Sequence, residues 1–125
     1  MFSHVMVGSN DIGKSKAFYD ALFGALGGKP GIADPKGRLI YIHNGSMFLV
    51  TPPIDGKPAC HANGGTIGFA VTATEQADAW HKAGVEAGGT AIEDPPGWRE
   101  GAGMKLYLAY LRDPDGNKLC TMMRG

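Results

Sequence analysis

Few side chains in this 125-residue chain combine reactive chemistry with a defined place in the pattern, and His4 and Cys120 head them. His4 stands just before a short apolar run, where an imidazole can ligate a metal, move a proton, or simply hydrogen-bond at a sheet edge. Cys120 falls in the last apolar run, where unmetallated thiols usually pack as small hydrophobes. As a soft ligand or thiolate it would need a nearby cation, and no motif supplies one. Cys60 and His61 are neighbours, so an extended chain turns them to opposite sides and joint chelation fails. His43, Glu93 and Glu100 are further potential donors. Trp98-Arg99-Glu100 sits in a Pro/Gly-rich loop: the indole could stack on a planar ligand and the guanidinium could clamp a carboxylate or phosphate, or the loop is an ordinary exposed one. Tyr41, Tyr107 and Tyr110 read as core-packing residues whose hydroxyls could reach a cleft, and His81, beside Trp80, reads as surface.

Composition narrows the functions these residues can serve. Twelve basic side chains balance twelve acidic ones, with no run of either sign, so neither a phosphate backbone nor an anionic membrane finds an electrostatic footprint. Met1 to Val5 lacks a basic stretch followed by an apolar run, and nothing approaches a membrane span, which predicts a cytoplasmic chain. The two cysteines lack the spacing of a zinc knuckle or a redox pair, and they are too few for a disulfide scaffold.

The elements that must position these groups follow from turn chemistry. Val5 to Val7 predicts a strand, and Ser9-Asn10-Asp11 offers N-caps for a helix carrying Phe18, Tyr19, Leu22, Phe23 and Leu26 at three- and four-residue spacing, ended by Gly27-Gly28. Leu39 to Ile42 and Met47 to Val50 flank Asn44-Gly45, a strong hairpin signal. Three prolines between Pro52 and Pro58 make 52–64 a connector. The pattern then recurs: a strand over Thr66 to Val71, Thr72 and Glu75 at capping-box spacing, a helix with Ala77, Trp80 and Gly84 on one stripe, Gly88-Gly89, and a second hairpin around Asp113 to Asn117. Gly27 and Gly88 lie 61 positions apart, and His4 and Thr66 lie 62 apart. This predicts one domain, 1–125, of two βαβββ modules, about 1–51 and 65–125, with seven or eight short strands; a ferredoxin-like domain would use fewer.

His4-Val5-Met6-Val7, the stretch Lys16 to Gly24 containing Ala17-Phe18-Tyr19, and Arg112-Asp113-Pro114-Asp115-Gly116-Asn117 before a final strand together resemble the glyoxalase/bleomycin-resistance/dioxygenase superfamily, the vicinal oxygen chelate fold. The resemblance spans essentially the whole chain. It implies an α+β fold in which two tandem βαβββ modules form curved sheets around a shared cleft, with metal ligands, His or Glu, on the first and last strand of each module. His4 matches one ligand position. The corresponding position of the second module is Thr66; that of the last strand is Cys120; that of the first hairpin is Leu49, with Met47 and Thr51 on its face. Three of the four donors expected by resemblance are therefore replaced.

Two functions follow from the resemblance. One is a binding protein for a small oxygenated or planar ligand, contacted by His4, Thr66, Trp98, Arg99, Tyr110 and Cys120, with no cofactor or only a weakly held divalent metal at His4. The other is a metal-dependent glyoxalase-like lyase or isomerase, or a dioxygenase relative, in which a divalent ion polarises vicinal oxygens. The expected partners are the small molecule and a second copy in a two-fold homodimer that covers curved sheet edges, with neither nucleic acid nor membrane.

Overall fold

The computed structural model describes all residues from Met1 to Gly125. The first strand, β1 (Val5–Gly8), leads into helix α1 (Ile12–Gly24). Of the three candidate caps, Asp11 is the one used: its carboxylate accepts from the Lys14 N–H, and Ser9 Oγ accepts from the Asp11 N–H. Ser15, Phe18, Tyr19, Leu22 and Phe23 form the buried stripe of α1. The helix closes where Gly27 turns left-handed (φ 82°) and Gly28 N–H donates back to the Phe23 carbonyl. Next come the two-residue β2 (Ile32–Ala33), β3 (Leu39–His43) and β4 (Ser46–Thr51). Asn44 and Gly45 both have positive φ, the twist a two-residue hairpin requires.

No strand or helix falls between Thr51 and Ile67. The second half follows the same order with one strand added, β5 (Ile67–Ala70), α2 (Thr74–Glu86), β6 (Thr90–Ala91), β7 (Gly97–Gly101), β8 (Met104–Arg112) and β9 (Lys118–Arg124), so the chain has nine strands where the sequence predicted seven or eight in two βαβββ modules. Helix α2 ends as α1 does, Gly88 left-handed and Gly89 N–H donating to the Gly84 carbonyl. Its start differs from the expected Thr72–Glu75 box. Ala73 is the N-cap, so the helix begins a residue later and Gln76 takes the reaching role, accepting from the Thr72 N–H and hydroxyl. Trp98-Arg99-Glu100 also differs: it is part of β7, not a loop. Ala102 and Gly103, both at positive φ, make a tight turn that folds β7 antiparallel onto β8, pairing Trp98 with Tyr107 and Arg99 with Leu106.

The strands form two mixed sheets, ordered β1-β4-β3-β2 and β5-β9-β8-β6, with β7 continuing the edge beside β8. In each sheet the first strand of its half runs parallel to the last: Met6 lies beside Leu49, and Gly68 beside Cys120. This is the α+β arrangement of curved sheets expected from the sequence. One face of each sheet packs on the helices, and a single apolar cluster joins both halves. Phe69 bridges them, its ring 5.4 Å from Phe23, 5.7 Å from Phe48 and 6.2 Å from Trp80. The helices touch at Gly84, where a Cβ would lie 2.9 Å from Leu22 Cδ1.

A polar latch also joins the halves. Asp113, buried at the second hairpin, accepts from the Tyr19 hydroxyl at 2.5 Å, from Asn117 Nδ2, and from the Asp115 and Asn117 N–H groups. Asp115 accepts from the Asn10 N–H and, at 3.3 Å, from the Ser15 hydroxyl, while Asn117 Nδ2 also donates to the Gly8 carbonyl. The Asp-Pro-Asp-Gly-Asn turn thus anchors the entry of α1, a role its local geometry does not announce. Burial first, then the Asp113 charge, holds the Tyr19 phenol well above its ordinary range, so it stays a donor.

Candidate functional site

A cavity of about 400 Å³ lies between the N-terminal segment, the end of α1, the β3–β4 hairpin and β5. Strand alternation explains its walls. Tyr41 and His43 share the helix-facing side of β3, Phe48 faces the same way from β4, and Phe69 does so from β5. Phe23 closes it from α1 and Leu26 from the turn that follows the helix. Its polar rim consists of Ser3, His4, His43, Asn44 and Ser46. His4 Nδ1 and Ser3 Oγ lie 2.8 Å apart, and His43 Nδ1 sits 3.4 Å from where a Cβ on Gly28 would be. The Tyr41 hydroxyl is spent, donating to Asp20 Oδ1 at 2.8 Å, so Tyr41 offers the cavity its ring.

Of the six residues expected to contact ligand, His4 alone lines this cavity. Thr66 is exposed and precedes Ile67, which lines it. Cys120 lies one strand away: its Sγ is 3.3 Å from the Cβ position of Gly68, a lining residue. Cys120 and Tyr110 pair across β8 and β9 on the sheet face turned from the helices. Lys118 shares that face, its Nζ 5.0 Å from the Tyr110 ring centroid and ion-paired to Glu93. Burial, the largest influence, pushes the Cys120 thiol above its ordinary range; Lys118 pulls it down and Glu93 pushes it up. The cation that a thiolate needs is therefore present but outweighed. Sequence reasoning missed Lys118, although two residues' separation on a strand was the signal.

Trp98 and Arg99 cannot serve one ligand together, because β7 turns successive side chains to opposite faces. Trp98 packs edge-on against Tyr107 at 5.3 Å, with Lys105 Nζ 4.9 Å over its ring. Arg99 directs Nη1 to the Gly97 and Leu108 carbonyls and Nη2 to the Asp94 carbonyl, all at 2.9 Å. Those bonds staple β7 to β8 and hold the preceding loop. Tyr107 donates to Asp78 Oδ1, and His81 Nε2 lies 3.1 Å from the Tyr110 carbonyl oxygen.

The fold is shared. The family model described as Glyoxalase/Bleomycin resistance protein/Dioxygenase superfamily matches residues 1–121. The crystal structure of a glyoxalase/bleomycin resistance protein from Albidiferax ferrireducens is 58% identical, superposes with a TM-score of 0.93, and each chain covers 98% of the other. The chain belongs to the glyoxalase/bleomycin resistance protein/dioxygenase superfamily. More distant members share the fold. A family enzyme from Burkholderia phytofirmans is 21% identical (TM-score 0.71; 96% of this chain, 95% of that one). A glyoxalase-related enzyme from Fulvimarina pelagi is 19% identical (TM-score 0.71; 98% and 87%). Among curated proteins nothing matches.

The superfamily's metal positions can be tested against the side chains present. Leu49 stands to Met6 in β4 as Cys120 stands to Gly68 in β9, so these are equivalent last-strand positions, and His4 and Thr66 equivalently precede β1 and β5. One imidazole, one thiol raised by burial, a threonine hydroxyl and a leucine do not fit a His/Glu metal centre. No three His, Cys, Asp or Glu side chains gather elsewhere as a metal-holding group.

Proposed function

We propose that this superfamily member binds a small planar or oxygenated molecule in the cavity between its halves without the family's full metal centre. The cavity itself carries the reading: about 400 Å³, walled by aromatic side chains, with imidazole, amide and hydroxyl groups at one rim. Pockets of this size with few convergent polar groups suit small molecules. Of the six residues expected to contact ligand, we place His4 at the rim and Thr66 beside it. Cys120, Tyr110 and Arg99 belong to the adjoining sheet face, and Trp98 to neither.

In this reading the protein is one domain acting in the cytoplasm as a two-fold homodimer. Met6 and Ile42 support the dimer: they lie on the face of the first sheet turned from the helices and are 40% and 62% exposed. A dimer mass by light scattering at micromolar concentration is expected, and a monomer refutes that part.

The function is tested by binding in the presence and absence of a chelator. Ligand binding that persists in excess chelator, from protein purified with less than one transition metal per chain, is the expected result. Stoichiometric metal that is lost in His4→Ala, with binding lost on chelation, would overturn it in favour of the competing metal-dependent lyase, isomerase or dioxygenase.

A further inference from the structure

We infer that the cavity selects a planar aromatic acid: an arene bearing one carboxylate, sulfonate or similar anionic group, with its charged end at the His43 rim. This deepens the small-molecule reading and rests on it. The argument begins with what lines the space. Phe23, Phe48 and Phe69 pack edge-on against one another, with centroids 5.4 to 5.7 Å apart, and together form a fixed aromatic wall along which an arene can lie. Tyr41 extends that wall, since its hydroxyl is committed to Asp20.

Charge then decides the sign of the ligand. No Asp, Glu, Lys or Arg lines the cavity; the titratable side chains on its surface are His4, His43 and Tyr41. The acid nearest through a lining residue, Asp20, is outside the cavity, its oxygens accepting from Gly31 N–H, Tyr41 and Lys16. A cationic ligand would shed water with no carboxylate to replace it. An anion meets two imidazoles, the Asn44 amide and the Ser46 hydroxyl, all able to donate, and an imidazole that takes up a proton also supplies charge. His43 is the best placed of these. It shares the helix-facing side of β3 with Tyr41, whose ring lies in the aromatic wall, and it is half-buried where Asn44 and Ser46 are exposed.

The probes are 8-anilinonaphthalene-1-sulfonate and N-phenyl-1-naphthylamine, the same arene with and without the anion, titrated by fluorescence under one buffer condition. A merely greasy surface prefers the neutral probe, because the anion loses hydration on entry. The wild-type chain is expected to bind the sulfonate at least about tenfold more tightly than the neutral probe. His43→Gln is expected to erase that ratio while the neutral probe's affinity holds, with the thermal unfolding midpoint reported alongside. If His43→Gln does not fold, the wild-type ratio decides alone. Equal or tighter binding of the neutral probe overturns the acid selectivity and leaves the cavity reading standing. Binding of neither probe overturns both.

Discussion

The latch between Tyr19 and Asp113 should be worth a measurable coupling energy, because both groups are buried and the phenol has this carboxylate as its hydrogen-bond acceptor. Tyr19→Phe removes one hydrogen bond to a carboxylate but leaves Asp113 three other donors, so the loss should be about 2 kcal/mol. Asp113→Ala is harsher. It takes the acceptor from four hydrogen bonds and orphans the hydroxyl of a tyrosine that is 0% exposed, and should cost about 4 kcal/mol. In the double variant that hydroxyl is gone, so its orphaning penalty disappears and the two losses should fall short of additivity by about 2 kcal/mol. Urea unfolding followed by the fluorescence of buried Trp80, with far-ultraviolet circular dichroism in parallel, gives the four stabilities of the cycle. An unchanged slope on denaturant would show that only stability moved. A coupling below about 0.5 kcal/mol, or a Tyr19→Phe variant as stable as wild type, would refute the claim that this contact ties the halves together.

Other substitutions probe the packing and the titrating groups. Gly89→Ala should destabilise more than Gly84→Ala, each by thermal unfolding, because a Cβ at 89 meets the Arg112 and Gly84 carbonyl oxygens at 2.9 Å, whereas one at 84 meets only the ends of leucine side chains among its closest contacts. Asp20 is lowered from its ordinary range: burial pulls it up, but the Gly31 N–H, Lys16 and Tyr41 outweigh burial. Its contribution is therefore present above the unfolded carboxylate range and lost as pH falls through the lower folded value. Asp20→Asn should flatten stability against pH in that acid window, and an unaltered profile would count against it. The Tyr107 phenol is pushed up to about 12, chiefly by its hydrogen bond to Asp78 and then by burial. That stabilisation is full below the unfolded tyrosine value of about 10 and fades as pH rises towards 12. Asp78→Asn should bring the ionisation of one tyrosine down in an alkaline absorbance titration, and no movement would show that the pair is loose.

Local chemistry was readable where a turn or cap fixes the backbone. Gly27-Gly28, Gly88-Gly89, Asn44-Gly45 and the Asp113 to Asn117 turn all ended or joined elements as their residue types require, because φ > 0 is dictated by the residue itself. Trp98 to Glu100 was misread because Pro95-Pro96-Gly97 dominates its surroundings, while Ala102-Gly103, the turn that makes it a strand, carries a weaker signal. The cavity could not be read at all from spacing. Its walls come from residues 2–5, 23–26, 41–48 and 67–70, and only tertiary packing brings Phe23 and Phe69 together. His43 was visible as a donor but not as the neighbour of an aromatic wall. Thr66, Leu49 and Cys120 could be placed by counting alone at the positions the resemblance assigns to metal donors, since hairpin turns and strand starts set that count.

The Asp-Pro-Asp-Gly-Asn turn grips the amino end of α1 from a point about a hundred residues downstream. A chain severed near Asp55-Gly56, in the exposed connector, would therefore yield two fragments that each display half an apolar cluster and half a polar clasp. Neither piece is expected to fold alone, since each lacks the surface that buries its half of the cluster. Mixing them should restore a folded complex, re-forming the Tyr19–Asp113 and Asn10–Asp115 contacts across the cut.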